Sequence, residues 1–157
     1  MKNAIYVLVE NKFGVLARIS TLFAARGFNI DSLAVGETED PDISRMTIVV
    51  DGDEKIVEQV EKQLNKLIDV IKVSNLSGTD HIQRDLALIK VSVNKTNRAE
   101  LIKIVGIFKA KIVDMTNTSM VLEIAGDEKQ IESFIEVLKP FRIKEMSRTG
   151  VIAMAVK

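Results

Sequence analysis

Cysteine is absent from this 157-residue chain, and histidine occurs once, at His81. Without cysteine there is no disulfide framework, no thiolate nucleophile and no cysteine-based metal centre. A single histidine excludes a histidine-rich metal cluster, and any Ser-His-Asp grouping would have to pass through His81. No charge of either sign dominates: Lys plus Arg number 22 and Asp plus Glu number 22. A polyanion-binding protein normally carries a basic excess, so nucleic acid is not the expected partner, although a local basic patch is not excluded. No apolar run approaches the roughly 20 residues that span a bilayer. The start, Met1-Lys2-Asn3-Ala4, lacks a signal-peptide core and cleavage site. The expectation is a cytoplasmic protein, with no membrane partner.

What is present is a pattern written twice. Ile5 to Val9 reads as a buried strand. A helix follows, with Val15, Leu16, Ile19, Leu22 and Phe23 on one face and Gly27 as its C-terminal cap. Ile30–Glu37 and Ser44–Val50 read as strands joined through the turn residues Thr38 to Asp42, with Met46, Ile48 and Val50 alternating on one face. Asp53 can cap a second helix with Ile56, Val57, Val60, Leu64 and Leu67 inward, and Asp69 to Leu76 gives a fourth strand. The polar stretch "SGTDHIQRD" reads as a linker. The order then restarts. Leu86 to Val93 is a strand, and Asn97 with Glu100 fits a capping box ahead of Leu101, Ile104, Val105 and Phe108. Ile112–Met115 and Met120–Ile124 are strands, and Asp127 caps a helix with Ile131, Phe134, Ile135 and Leu138 inward, stopped near Pro140. Ile143 to Val156 supplies the last strand, in one or two pieces around Gly150.

The fold class is therefore α+β: two tandem ferredoxin-like βαββαβ units, residues 1–77 and 86–157, joined by a linker at 78–85. Units under 80 residues bury little surface alone, and such a sheet leaves its other face or an edge uncovered. Association through edges or helices is expected.

The first strand-helix turn, "NKFG", is not a Walker loop, and it lacks two of the three dinucleotide-fingerprint glycines. What remains is a helix N-terminus where Gly14 lets a ligand approach free N–H groups, a setting that suits a carboxylate. The alternative is a plain tight turn that needs glycine. Asn29 is open in the same way. It either sits in a left-handed turn after Gly27, or its amide accepts from an ammonium and donates to a carboxylate. The second half keeps the helix stripe and an aspartate at Asp114 to match Asp31, but has no glycine at the helix mouth and no Gly-x-Asn after the helix. That contrast favours a ligand in the first half, unless the two turns differ in geometry. Glu54, Glu58 and Glu61 read as a solvated helix face, Arg45 as an edge or interface charge, and His81 as a surface residue. No catalytic and no metal-binding residue is assigned.

Three blocks, "LVENKFGVLARISTLFAARGFNIDSLAVG", "DPDISRMTIVV" and "EQVEKQLNKLIDVIKV", in this order resemble the regulatory (small) subunits of acetolactate synthase, also called acetohydroxyacid synthase. The match is strong over Ile5 to Val73 and looser from Leu86 onward. The first block alone would suggest only an ACT domain, a βαββαβ module that binds small ligands, often amino acids. The resemblance implies a non-enzymatic subunit of branched-chain amino acid (valine, leucine, isoleucine) biosynthesis. It would activate a catalytic large subunit and confer feedback inhibition by valine. Thiamine diphosphate, Mg and FAD would belong to that partner, with no cofactor in this chain. The N-terminal ACT domain would pair with a second copy to form a continuous sheet, and valine would bind at that homodimer interface. By position, N–H groups near Gly14 and Val15 would hold the carboxylate. Asn11 and Asn29, the latter from the partner chain, would orient the polar end, with the Ile30 carbonyl accepting from the ammonium. Phe13, Leu16 and Ile30 would line the isopropyl pocket.

Three rivals remain. An acylphosphatase-like hydrolase would need a phosphate cradle with an arginine at the first loop; "NKFG" has none, and Arg18 lies a turn inside the helix. An RNA-recognition module would need exposed aromatics on its central strands, whereas aromatics are 4% of the chain and these strands offer only Tyr6. A free-standing ACT-domain amino-acid sensor for some other protein is separated only by the resemblance.

Overall fold

The computed structural model describes residues 1–157, and the contacts divide the chain into two compact units. The first comprises Met1–Ile82 together with Val151–Lys157, and the second Gln83–Gly150.

In the first unit the strands are β1 (Lys2–Glu10), β2 (Ile30–Glu37), β3 (Ile43–Asp51) and β4 (Val70–Asn75), in the order β2-β3-β1-β4. β1 is central and antiparallel to both neighbours, with Ile5 opposite Ile48 and Val7 opposite Met46. Helices α1 (Val15–Arg26) and α2 (Glu54–Asn65) cover one face, burying Ile5, Val7, Ile19, Phe23, Ile48, Val60 and Leu64. α1 forms because Val15, Ile19 and Phe23 recur at helical spacing and all face that core. It ends as expected at Gly27, whose φ of 70° is left-handed and whose N–H returns to Ala24. Phe28 closes the cap by packing edge-on to Phe23, ring centroids 5.9 Å apart. Asp53 caps α2 by accepting from the Ile56 N–H at 3.0 Å.

In the second unit β5 (His81–Ser92), β6 (Lys111–Met115), β7 (Ser119–Gly126) and β8 (Ile143–Arg148) lie in the order β6-β7-β5-β8. Helices α3 (Arg98–Ile107) and α4 (Glu128–Leu138) bury Ile89, Val91, Leu101, Leu122, Phe134 and Leu138. A 3-10 turn at Lys139–Phe141, carrying Pro140, follows α4. The βαββαβ order therefore occurs twice, and Gly150, at φ 83°, separates β8 from β9 (Ile152–Ala155).

Three expectations need correction. The 78–85 segment is not all linker, because β5 already begins at His81. It looks like a loop because it is almost wholly polar, yet one of its charges is buried and held. Asp85, its side chain 2% exposed, takes Arg148 Nη2 at 2.6 Å and Nε at 3.0 Å, while Thr149 Oγ1 donates to its other oxygen. Glu132 on α4 takes Arg148 Nη1 at 2.9 Å. Burial lowers the Arg148 pKa, but bonds and charge from Glu132 and Asp85 outweigh it and leave the guanidinium raised. Next, the capping box expected at Asn97 and Glu100 is not formed. Asn97 Oδ1 turns back to accept from the Asn94 N–H, and the reciprocal box is at Asp127 and Gln130 instead. Finally, residues 151–157 do not stay with the second unit. They return to the helix-free face of the first sheet, where Ala153 packs with Ala4 and Leu76. Arg45, expected as an edge or interface charge, lies within that face. Its guanidinium sits 4.0 Å from the Tyr6 ring centroid and donates to the Ala153 carbonyl at 2.9 Å. The Val156 N–H donates to the Asp80 carbonyl.

Deleting residues 151–157 is expected to destabilise the first unit by on the order of 2–3 kcal/mol, since it uncovers Ala4 and Leu76 and removes the Arg45 acceptor; urea unfolding of the truncated chain measures this. Arg148→Met strands the Asp85 carboxylate and should cost the second unit about 3–5 kcal/mol, read in the same way.

Candidate functional site

The turn between β1 and α1 is built from backbone outward. The Asn11 N–H donates to the Asp42 carbonyl at 2.7 Å, and Asn11 Nδ2 donates to the Pro41 carbonyl at 2.9 Å and to Glu37 Oε1 at 3.3 Å. The chain then climbs through Phe13, which is wholly exposed, to Gly14 at φ 83°. No side chain caps α1 at Gly14. The Val15 N–H makes one long bond to Lys12 at 3.4 Å, and the next two first-turn N–H groups, of Leu16 and Ala17, have no carbonyl partner. α2 and α4, by contrast, are both closed by aspartate. The mouth of α1 thus offers donors and the positive end of a helix, which suits an anion.

Gly14 needs no ligand to explain it. Its φ is left-handed, whereas Asn97 at the matching turn of the second unit has φ −100°. The two turns differ in geometry, so the missing glycine in the second half follows from backbone conformation. A Cβ at residue 14 would meet nothing closer than Arg18 Nη1 at 3.6 Å, so space is open there. Asn29 reads the other way. It does not adopt a positive φ, which removes the left-handed-turn account of it.

Asn29 Nδ2 donates to Asp31 Oδ1 at 3.0 Å. That bond uses one of the two amide N–H donors and fixes the direction of the acceptor oxygen. Ile30 and Val15 pack into the first core, so Val15 can contribute only its backbone, while Leu16 is 45% exposed. Arg18 pairs with Asp69, the residue before β4, with Nη2 2.6 Å from Oδ2. His81 Nδ1 bonds the Thr79 carbonyl. Of the residues that hold the two asparagines, Asp31 was visible in the sequence only as the counterpart of Asp114 and Pro41 only as a turn residue, and Glu37 carried no signal.

Within one chain these residues form two groups. Asn11, Phe13, Gly14, Val15 and Leu16 lie at the start of α1, and Asn29 and Ile30 lie beyond its end. Twelve helical residues separate them by about 18 Å. An open groove of about 440 Å³ between α1 and α2 is lined in part by Arg18, Thr21, Arg26 and Gln63, and by none of the expected effector residues. No group of three His, Cys, Asp or Glu side chains could hold a metal ion, and no helix is long and apolar enough to cross a membrane.

This sheet order, with an open glycine turn at the first helix, defines the class: an ACT-type regulatory module followed by a second ferredoxin-like unit. A family model described as "AHAS small subunit-like ACT domain" matches residues 5–72, and one described as "Small subunit of acetolactate synthase" matches residues 84–157. The chain is 53% identical over 154 residues to a probable acetolactate synthase small subunit of Archaeoglobus fulgidus, covering 98% of this chain and 96% of that protein. It is 48% identical over 149 residues to the acetolactate synthase small subunit of Mycolicibacterium smegmatis, covering 95% and 88%. The crystal structure of the small subunit from Thermotoga maritima superposes with a TM-score of 0.92 at 40% identity, covering 100% of this chain and 98% of that one. The chain belongs to the acetolactate synthase small-subunit family. Its role is regulatory; acetolactate formation and its cofactors belong to the large subunit of that family.

Because residue 14 is constrained by φ and not by space, Gly14→Ala should destabilise the first unit by about 1–2 kcal/mol, and Gly14→Asn by clearly less. Thermal unfolding of the two variants checks the order.

Proposed function

We propose that this chain binds a catalytic acetolactate synthase subunit, raises its activity and makes it sensitive to valine, which binds between two copies of the ACT unit. The observation that carries the two-copy site is the link from Asn11 to Glu37. β2 is an edge strand, and Glu37 is its last residue. Two copies that share a sheet through β2 about a two-fold axis must pair β2 antiparallel with itself. Such pairing sets the start of one β2, at Asn29 and Ile30, beside the end of the other, at Glu37. Asn11 is bonded to Glu37, so the groups that lie about 18 Å apart within one chain become neighbours across the pair. The first-turn N–H groups of α1 then hold the carboxylate, and the asparagine oxygens and the Ile30 carbonyl accept from the ammonium. Phe13 and Leu16, exposed in one chain, enclose the isopropyl group.

Regulation follows from linkage. Valine acts only by the difference in its affinity for two quaternary states, typically 1–3 kcal/mol of coupling. A ligand that bridges two copies favours the paired state and so changes the surface offered to the catalytic subunit.

Calorimetric titration of valine, leucine and isoleucine into wild type, Gly14→Asp and Gly14→Asn tests the site. Asp and Asn both tolerate left-handed φ, so they differ in charge more than in backbone strain. Gly14→Asp is expected to lose at least about tenfold in valine affinity by repelling the ligand carboxylate, and Gly14→Asn less. Equal binding by wild type and Gly14→Asp overturns the site. With the catalytic subunit present, the wild-type chain is expected to raise the rate of acetolactate formation, and valine to lower it.

A further inference from the structure

The two asparagines lie at opposite ends of α1, yet both amides are held the same way round. Asn29 turns its NH₂ to Asp31 Oδ1 at 3.0 Å, and Asn11 turns its NH₂ to the Pro41 carbonyl at 2.9 Å and to Glu37 Oε1 at 3.3 Å. Reversing either amide would set oxygen against oxygen at hydrogen-bond distance. The chain's own acceptors therefore fix both orientations before any ligand arrives. Each amide leaves Oδ1 as an acceptor with no donor of its own in the chain, and Asn29 keeps one further N–H. Asp31 has a second neighbour. Lys2 Nζ lies 3.8 Å from its Oδ2, and its side chain is 22% exposed. Its charge is partly balanced and its Oδ1 is occupied, so it is better suited to orient Asn29 than to bind a cation directly.

We propose that Asp31 is a positioning residue that makes the effector site selective for an α-amino acid over the α-keto acid of the same carbon skeleton. This rests on the valine-site reading above. With Asn29 held by Asp31, and Asn11 by the 37–41 segment, both amides present lone pairs. An ammonium set against the two Oδ1 atoms donates to them, whereas a keto oxygen in that place faces their lone pairs and leaves them unpaired. The carboxylate and the isopropyl group are common to both molecules and cannot discriminate. The site thus distinguishes a finished amino acid from its keto-acid precursor by the direction of two amides. Asp31 sets one of those directions without touching the ligand.

The test is titration of valine and of its α-keto acid into the full chain as wild type, Asp31→Ala, Asp31→Asn, and Asn29→Asp combined with Asp31→Ala. Wild type is expected to prefer valine by about tenfold or more, the range for a hydrogen bond to a charged group. Asp31→Ala releases the Asn29 amide and should reduce that preference about tenfold. Asp31→Asn keeps an acceptor for Asn29 Nδ2 and should restore most of it. In the double variant a carboxylate at residue 29 has acceptors on both sides and needs no orienting, so the preference should survive without Asp31. An unchanged preference in Asp31→Ala overturns the inference. So does a loss of the same factor for both ligands, which would make Asp31 a support of the fold or of pairing alone. Absence of valine binding by wild type takes down the site reading and this inference together; the first two results take down the inference alone.

Discussion

A four-stranded sheet has two faces, and two helices cover only one. In the first unit α1 and α2 bury Ile5, Val7, Ile48 and Val50 on one side, which leaves Ala4, Tyr6, Thr47 and Val49 on the other. The chain meets that deficit with its own end. β9 returns after the whole second unit and seats Ala153 there, 5% exposed. The short side chains of Ala4 and Ala153 allow close approach, and Arg45 ties the segment down through the Ala153 carbonyl. Val151–Lys157 is therefore a structural part of the first unit, although the family model for the C-terminal domain extends through residue 157.

The same shortage leaves β2 and β4 as edges. An edge strand presents unpaired backbone groups, a template for another strand. β2 carries the chemistry at both its ends: Asn29 just before it, Asp31 within it, and Glu37 at its finish holding Asn11. The polar groups of the candidate site are consequently ordered by the sheet edge. The anion-suited mouth of α1 is open because Gly14 offers no side-chain cap, unlike Asp53 and Asp127 at the helices that follow.

The two units solve the same folding problem with different polar devices. In the first, Arg18 on α1 reaches Asp69 beside β4. In the second, Arg148 on β8 bridges Asp85 on β5 and Glu132 on α4. Both aspartates are nearly buried, so each ion pair locks a helix or edge strand in register. These charges look like ordinary solvated residues in the sequence. Only the partner's position, 51 residues away for Arg18 and 63 for Arg148, shows otherwise.

Much of the architecture was legible in order and periodicity. The apolar alternation of β3, the helical spacing in α1 and α4, and the caps at Gly27, Asp53 and Asp127 are local properties, set by residues a few positions apart. They determine the two βαββαβ units and the helix mouth at Gly14. What local pattern could not show was the polar start of β5, stabilised by Arg148, or the return of residues 151–157 to the first sheet, where Arg45 and Ala153 meet across 108 positions. Nor could it show the direction of the Asn11 and Asn29 amides, which depends on Pro41, Glu37 and Asp31. By itself the sequence determined most of the elements and of the side chains that face the core, because burial of periodic apolar residues is a nearest-neighbour matter; Leu16 and Ile56, read as inward, are instead 45% and 36% exposed. The tertiary structure alone decided what covers the second face and which way the polar groups point, because those outcomes require atoms distant in the chain to arrive at hydrogen-bond distance.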